Sequence, residues 1–343
     1  MSWLQRLRID KFLVILIAVV VIASFFPCEG IYKTIFEYLT TAAIALLFFM
    51  HGAKLSREAI MAGISHWKLH LVVFLSTFAL FPLLGLGMKW LVPLGILTPT
   101  LYYGFLYLCA LPATVQSAIA YTSVAGGNIA AAICSASASS ILGVFLSPVL
   151  VGLLMHTQGG TNNTLHAIGS IILQLMVPFI IGHLCRPLIA EWVQRHKKIV
   201  NVTDRSSILL VVYVAFSAAV VEGIWHQIDG WSLLAILVCS IVLLTIVLII
   251  NTLVARWLSF STKDEITIVF CGSKKSLANG IPMANVLFPA SAVGAMVLPL
   301  MIFHQVQLMV CAVLAARYAK KVAKEEAQQV SLDVKVTKGA VAE

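Results

Sequence analysis

The chain has 343 residues, of which 60% are hydrophobic and only 11% are charged, and its net charge is +9 at pH 7. Soluble globular proteins carry about 25% charged residues, so this composition excludes a soluble enzyme, a secreted disulfide module and a disordered protein. The seven cysteines lie mostly in apolar runs without CxxC spacing, and we interpret them as buried apolar side chains. The sequence therefore predicts a protein that crosses a membrane several times.

Ten apolar stretches have roughly the length of about 20 residues that a membrane-spanning helix requires. In chain order, spans 1 to 10 are predicted at residues 11–27, 35–53, 68–91, 102–124, 128–155, 166–189, 207–225, 231–255, 266–286 and 291–317. We expect helices in all of them because lipid offers the backbone no hydrogen-bond partners. Span 1 is interpreted as a mature helix, since Pro27 and Cys28 do not fit a signal-peptide cleavage site. The fold class predicted is an all-α membrane protein with ten transmembrane helices.

Lysine and arginine residues are concentrated on one side of the predicted bilayer. They precede span 1, lie in the loops after spans 2, 6 and 8, and follow span 10. Positively charged loops stay in the cytoplasm, so we predict a cytoplasmic (inner) membrane location with both termini cytoplasmic. The positive net charge is then explained by the orientation of the chain in the membrane, and no nucleic-acid partner is expected. The tail at 319–343 is predicted to be a short helix that frays into disorder.

The ten spans divide into two halves of five. The halves are joined by the basic loop 186–205, and we place the first, together with span 6, at 1–189 and the second at 166–317. Because five is an odd number, the second half would enter the membrane from the opposite side. This arrangement is typical of the inverted repeats found in many transporters.

The fourth span of each half is interrupted by polar and helix-breaking residues. Span 4 contains PATVQS at 112–117, and span 9 contains CGSKKS at 271–276, with a second interruption expected at 279–282. Each interruption frees backbone carbonyls, which attract cations, and amides, which attract anions. We therefore predict that discontinuous helices 4 and 9 cross in mid-membrane and form a binding site. The alternative is that Pro112 and Gly272 only kink two ordinary helices.

Lys274 and Lys275 are the only charged residues in the middle of a predicted span. A lysine at a helix centre costs about 2.5–3.5 kcal/mol on insertion scales. Neighbouring helical residues point about 100° apart, so one lysine should face the crossing and the other a different part of the core. The inward ammonium could replace a transported cation, exchange a proton, or pair with an anionic substrate. Alternatively, one lysine extends to the membrane interface.

Further polar side chains could complete this site. The candidates are Gln116, Ser117, Ser135, Ser139, Thr77, Ser273, Ser276, Asn279 and His304. The serines could equally serve helix packing, and the histidine could shuttle protons or be a core residue that donates to a carbonyl. No metal-ligand spacing or nucleotide motif is present, so no cofactor is expected beyond Na⁺ or H⁺ as a coupling ion. An intramembrane enzyme is the least favoured class, because Lys275 and Ser276 are consecutive and diverge on a helix.

The ten-span plan, the proline of span 4 and the motif GSKKSLANGIP at 272–282 resemble the bile acid:sodium symporter superfamily, and within it the SBF-like branch. The resemblance implies a panel of spans 1, 2, 6 and 7. It also implies a core of spans 3–5 and 8–10, in which helices 4 and 9 cross. Transport would then occur by movement of the core against the panel, with small organic anions as substrates.

The resemblance also assigns positions to a sodium site. A Ser-Asn pair on span 4 of the sodium-coupled members corresponds to Gln116 and Ser117 here. Their Ser and Thr on span 5 correspond to Ser135 and Ser139, and their Gln on span 3 corresponds to Thr77. If this chain binds sodium, the ligands would come from these positions.

Span 9 departs from the sodium-coupled pattern. The shared Glu falls at Phe270, and the following Gln and Asn become Lys274 and Lys275. Losing a carboxylate and gaining two ammonium groups removes the negative charge that sodium ions need. We therefore expect a secondary transporter of a small organic anion that is sodium-independent or coupled to protons through a buried lysine.

Two alternatives stay open. The first is a sodium-coupled symporter of the bile-acid type with neutral ligands, and the second is a membrane regulator of ion homeostasis that binds a ligand without translocating it. The expected partners are the lipid bilayer and the organic anion, and a homodimer is left open.

Overall fold

A computed structural model describes residues 11–54, 66–155, 177–221 and 229–340. Its helices, in chain order, are α1 Lys11–Phe25, α2 Gly30–Lys54, α3 Trp67–Leu91, α4 Pro99–Ala110, α5 Val115–Val124, α6 Ile129–Met155, α7 Arg186–Arg195, α8 Lys197–Val221, α9 Gly230–Trp257, α10 Thr262–Gly272, α11 Leu277–Leu287 and α12 Ala290–Ala340. Residues 177–184 are also helical. No strand occurs in these four ranges, so the prediction of an all-α fold is confirmed for the described residues.

Six of the described helices are long and apolar enough to cross a membrane: α2, α3, α6, α8, α9 and the part of α12 at Ser291–Glu325. The pair α4 and α5, bent by 65° at the break between them, makes a seventh when it is counted as one span. Helix α1 is apolar but shorter, α10 and α11 have 11 residues each, and residues 166–176 of predicted span 6 lie outside the described residues. The number ten therefore stays a prediction.

Polar side chains begin several of these helices. Thr98, Asp229, Ser261 and Ser276 each accept a hydrogen bond from the backbone amide three residues further on. Such N-caps satisfy amides that the first turn of a helix leaves without partners. The first residues of α4, α9, α10 and α11 are thus set by the local sequence.

Two boundary predictions are wrong. Helix α12 continues without a break to Ala340, because the tail is rich in residues with high helix propensity, and Lys321 and Glu325 form an i,i+4 ion pair at 3.7 Å. The second interruption expected at 279–282 does not occur, since α11 runs through it. Pro282 removes only one hydrogen bond of that helix, whereas the helix needs glycine at 280. A Cβ there would lie 2.5 Å from side-chain atoms of Leu111 and Leu300.

The helices fall into two packed groups that meet at α8. Helices α1 and α2 pack against α8, and α7 packs against α2. Helices α3 to α6 pack with α9 to α12, and α8 also contacts α11 and α12. The largest buried cluster of apolar side chains extends through both groups. Helices α4, α5, α10 and α11, which carry the two breaks, all belong to the second group.

Helix α2 and the helical segment 177–184 approach each other backbone to backbone. A Cβ added to Gly182 would lie 1.9 Å from the carbonyl oxygen of Phe49, and a Cβ added to Gly52 would lie 1.9 Å from that of Phe179. Small residues allow such close crossings in membranes. The two glycines therefore set the distance between the two elements.

We expect Gly182→Ala to force the two backbones apart and to lower the free energy of unfolding by about 1–3 kcal/mol. The measurement is the thermal unfolding temperature of purified protein in detergent. Gly87→Ala is the matched control, because a Cβ at that position meets no atom within 4 Å. Equal unfolding temperatures for the two variants would contradict the close crossing.

Candidate functional site

Two interrupted helices meet inside the bundle. The first break lies between α4, which ends at Ala110, and α5, which begins at Val115. The second lies between α10, which ends at Gly272, and α11, which begins at Leu277. The amide of Ser276 in the second break donates to the carbonyl of Pro112 in the first at 2.9 Å. The breaks are therefore in direct contact.

Local sequence explains why the helices end there. Pro112 has no amide hydrogen and disfavours helical geometry at Leu111, which is extended with φ −77° and ψ 156°. In the second break, Ser273 is fully buried. Ser276 is extended, and its Oγ accepts the amide of Asn279 at 3.2 Å. The first break is thus explained by a stop signal at the end of α4, and the second by a capping serine at the start of α11.

The ammonium of Lys275 occupies the first break. Its Nζ donates to the carbonyl oxygens of Thr77 at 2.8 Å, Cys109 at 2.9 Å and Leu111 at 2.7 Å. A lysine ammonium has three donors, so all of them are used. The ammonium also lies 4.2 Å from the ring centroid of Phe81, and the side chain is fully buried. A positive charge of the chain itself therefore stands at the carbonyl end of α4, where a bound cation would be favoured.

Two further backbone groups of the first break also have partners. Ser147 donates its hydroxyl to the carbonyl of Ala110 at 2.8 Å, and the amide of Ala113 donates to the hydroxyl oxygen of Ser139 at 3.0 Å. Both serines lie on α6. Such partners are required because a buried backbone group without one is costly.

Gln307 of α12 holds the second break. Its Oε1 accepts the amide of Lys275 at 2.9 Å, and its Nε2 donates to the carbonyl of the same residue at 3.0 Å. Nε2 also lies 2.8 Å from Nδ1 of His304. The carbonyl of Gly272 accepts the hydroxyl of Ser76 at 2.8 Å. One amide side chain thus fixes the backbone of the lysine whose ammonium fills the other break.

We expect Gln307→Leu to destabilise the protein by about 3 kcal/mol, because it leaves a buried amide and a buried carbonyl without partners at about 1–3 kcal/mol each. The thermal unfolding temperature and amide hydrogen exchange at Lys275 are the readouts. Gln305→Leu is the control, since the Oε1 of Gln305 is buried without a hydrogen-bond partner among the described residues. If the two variants unfold at the same temperature, Gln307 does not hold the break.

Lys274 points away from Lys275 into a different environment. Its Nζ donates to the carbonyl of Ser117 at 2.9 Å and lies 3.9 Å from the ring centroid of Tyr121 and 5.4 Å from that of Phe270. The side chain is fully buried. Within the described ranges this ammonium donates one hydrogen bond, whereas the ammonium of Lys275 donates three.

Among the residues that the structure describes, no carboxylate pairs with either of these two lysines. The ion pairs found among the described residues involve other cations: Arg195 with Glu191, Arg256 with Glu265, and Lys321 with Glu325. At Phe270, the position that the family resemblance gives to a glutamate, an aromatic ring faces Lys274 instead. The described part of the chain also holds no cluster of three His, Cys, Asp or Glu residues that could bind a metal ion.

Several residues predicted from the sequence do meet at the breaks. Thr77 and Ser117 contribute backbone carbonyls to the two lysines, Ser139 accepts an amide of the first break, and Ser276 links the breaks. His304 joins through the side-chain amide of Gln307. Thr77 and Ser117 were expected to act through their hydroxyl groups, but they contact the lysines through their backbone carbonyls.

Other predicted residues have different partners. Gln116 is exposed, Ser135 bonds Nδ1 of His70 at 2.7 Å, and Asn279 donates to the hydroxyl of Ser140 at 3.0 Å. Of the five positions that the resemblance assigns to sodium, the hydroxyls of Ser135 and Ser139 are therefore engaged by other groups.

Three residues at the breaks were missed by sequence reasoning. Gln307 had a usable signal, because an amide in the middle of a membrane span is expensive and usually has a role. Ser76 and Ser147 had none, because a serine in an apolar helix most often serves packing. Their carbonyl partners lie far away in the sequence.

Known proteins resemble this chain over most of its length. The model of the SBF-like CPA transporter family matches residues 10–320. "Putative symporter YfeH" of Escherichia coli (strain K12) is 64% identical over 323 residues, which cover 94% of this chain and 97% of that protein. "Sodium/bile acid cotransporter 7" of Rattus norvegicus is 29% identical over 320 residues, or 92% of this chain and 94% of the relative. The protein of the same name from Danio rerio is 27% identical over 320 residues, which cover 92% of this chain and 95% of that protein.

Proposed function

The chain belongs to the SBF-like CPA transporter family, and we propose that it is a secondary active transporter of a small organic anion. It is a multi-pass membrane protein of a transporter family and not an enzyme. In our proposal it acts in the cytoplasmic membrane with both termini inside. It works without sodium, or is coupled to protons through a buried lysine.

The observation that carries the proposal is the ammonium of Lys275 among three carbonyls. Sodium and an ammonium compete for the same kind of oxygen-lined space, and this space is already filled by a tethered cation. The carboxylate that would neutralise a second cation is replaced by Phe270. Both features support transport that does not depend on sodium.

We assign different roles to the two lysines. Lys275 has three carbonyl partners and is the fixed cation of the crossing. Lys274 has one carbonyl and two aromatic rings as partners; Ser117 and Tyr121 are partly buried, and Gln116, which precedes Ser117 in the sequence, is exposed. A buried ammonium without a carboxylate is costly to keep charged, so Lys274 is the group that accepts a substrate carboxylate or releases its proton.

The architecture we propose has ten spans in two inverted repeats, at 1–189 with span 6 and at 166–317. Two matched breaks in the fourth span of each half support it, since α4 and α10 have similar lengths of 12 and 11 residues. The packing of α1, α2 and α8 as one group supports a panel of spans 1, 2, 6 and 7. The core of spans 3–5 and 8–10 would move against it.

Uptake into proteoliposomes under separate ion gradients tests the proposal. Thermal-shift screening of organic acids, with taurocholate included, first selects a ligand, and its labelled form is then the flux probe. We expect a pH gradient to change the uptake rate and a sodium gradient of equal size, at fixed membrane potential, to leave it unchanged. Uptake driven by sodium alone would overturn the proposal and favour the sodium-coupled alternative. If the acid binds but labelled and unlabelled acid do not exchange across the membrane, the proposal is overturned in favour of a membrane regulator.

A further inference from the structure

An apolar groove of about 690 Å³ runs along the outside of the bundle between α9 and α12. Its wall includes Ile249 and Leu253 of α9 and Val313 of α12, with 53%, 59% and 58% of their surface exposed. Arg317 lines one end. The groove is separate from the two breaks and plays no part in the site described above.

The wall of the groove offers little to a polar ligand. Its two threonines, Thr245 and Thr252, donate their hydroxyls to the carbonyls of Ile241 and Leu248 one turn earlier in their own helix. Such back-bonding leaves the rest of the wall apolar. The occupant must therefore be an apolar chain, and only its end near Arg317 can be polar.

The basic end of the groove is expected at the cytoplasmic surface of the membrane, because positively charged segments stay in the cytoplasm. Glu265 accepts hydrogen bonds from both Arg256 at the end of α9 and Tyr318 of α12, so Tyr318 lies level with the end of α9. Lys320, Lys321 and Lys324 follow Arg317 on α12. Within the described part of the chain, Glu265 pairs with Arg256 and Glu325 with Lys321, whereas Arg317 has no ion pair with a described carboxylate.

The length of the groove corresponds to one leaflet. It covers Thr245 to Leu253 on α9 and Met309 to Arg317 on α12, and eight residue steps of 1.5 Å make about 12 Å. Half of a hydrocarbon core about 30 Å thick is about 15 Å. A lipid whose headgroup lies at the basic end would therefore place its acyl chain in the groove.

We infer that the groove between α9 and α12 binds an anionic phospholipid, with its phosphate on Arg317 and an acyl chain along Leu253 and Val313. Burial of the acyl chain favours no particular lipid, because the bilayer is equally apolar. The selectivity comes from the charge, and one arginine near the surface supports about a fivefold preference for an anionic over a zwitterionic headgroup.

The test uses the full chain in nanodiscs with equal amounts of phosphatidylglycerol and phosphatidylcholine, followed by native mass spectrometry of the bound lipids. The wild type should retain phosphatidylglycerol about fivefold over phosphatidylcholine, and Arg317→Gln should lose that preference. Val313→Trp, which fills the groove at an exposed position, should reduce binding of both lipids. Lys198→Gln, which removes an exposed charge from α8, is the matched control and should keep the preference.

Three results would overturn the inference. The first is equal retention of the two lipids by the wild type. The second is an equal loss of preference in Lys198→Gln and Arg317→Gln, which would mean a general surface charge effect. The third is a dimer that becomes monomeric in Val313→Trp, because a second copy of the chain would then cover the groove.

Discussion

Lys275→Met is expected to abolish transport and to lower the free energy of unfolding by about 3 kcal/mol or more. The reason is that the carbonyls of Thr77, Cys109 and Leu111 lose their shared donor, and each buried carbonyl left without a partner costs about 1–3 kcal/mol. The unfolding temperature in detergent and uptake into proteoliposomes are the two measurements.

The control for Lys275→Met is Lys89→Met, which removes an exposed lysine at the end of α3 and should change neither quantity. The unfolding temperature of the Lys275→Met variant is also measured with added sodium. A wild-type unfolding temperature in this variant would show that the ammonium does not hold the break.

Lys274→Met is expected to separate transport from stability. The substitution replaces a buried charge with an apolar chain of similar volume and leaves one carbonyl, that of Ser117, without its lysine donor, so the free energy of unfolding should fall by no more than about 1–3 kcal/mol, less than in Lys275→Met. Substrate binding loses a charge-assisted contact worth about 1.5–3 kcal/mol, which corresponds to about a 10- to 100-fold loss of uptake. The remaining uptake should no longer respond to a pH gradient, because the exchanging group is gone.

Uptake by Lys274→Met is measured with the same labelled acid, in proteoliposomes that contain equal amounts of folded protein. Lys89→Met again serves as the control for the loss of one lysine. Wild-type uptake with an intact pH response would remove Lys274 from the mechanism.

Sequence reasoning located the crossing because its signals are local. A proline in a span, two consecutive lysines and clustered serines stand out against an apolar background, and they mark the two places where α4 and α10 end. The partners of Lys275 could not be predicted in the same way. They are the backbone carbonyls of Thr77, Cys109 and Leu111. Every residue has such a carbonyl whatever its side chain, and only the tertiary arrangement brings these three together.

The errors also have physical causes. The effect of a proline depends on its position in a helix, so Pro112 ends α4 while Pro282 is accommodated inside α11. Composition suited to a solvated tail also suits a long helix, which is why α12 extends past residue 318. The count of spans depends on short or broken helices, and length and apolar composition alone do not define these.

The central claim is that an ammonium of the chain fills the junction of two interrupted spans. An experimental density map of the full chain in a lipid nanodisc tests it most directly. We predict side-chain density from Lys275 reaching the carbonyls of Cys109 and Leu111, with residues 112 and 276 in contact. A junction in which this side chain points to lipid or bulk water, or in which either span is one unbroken helix, would contradict the account.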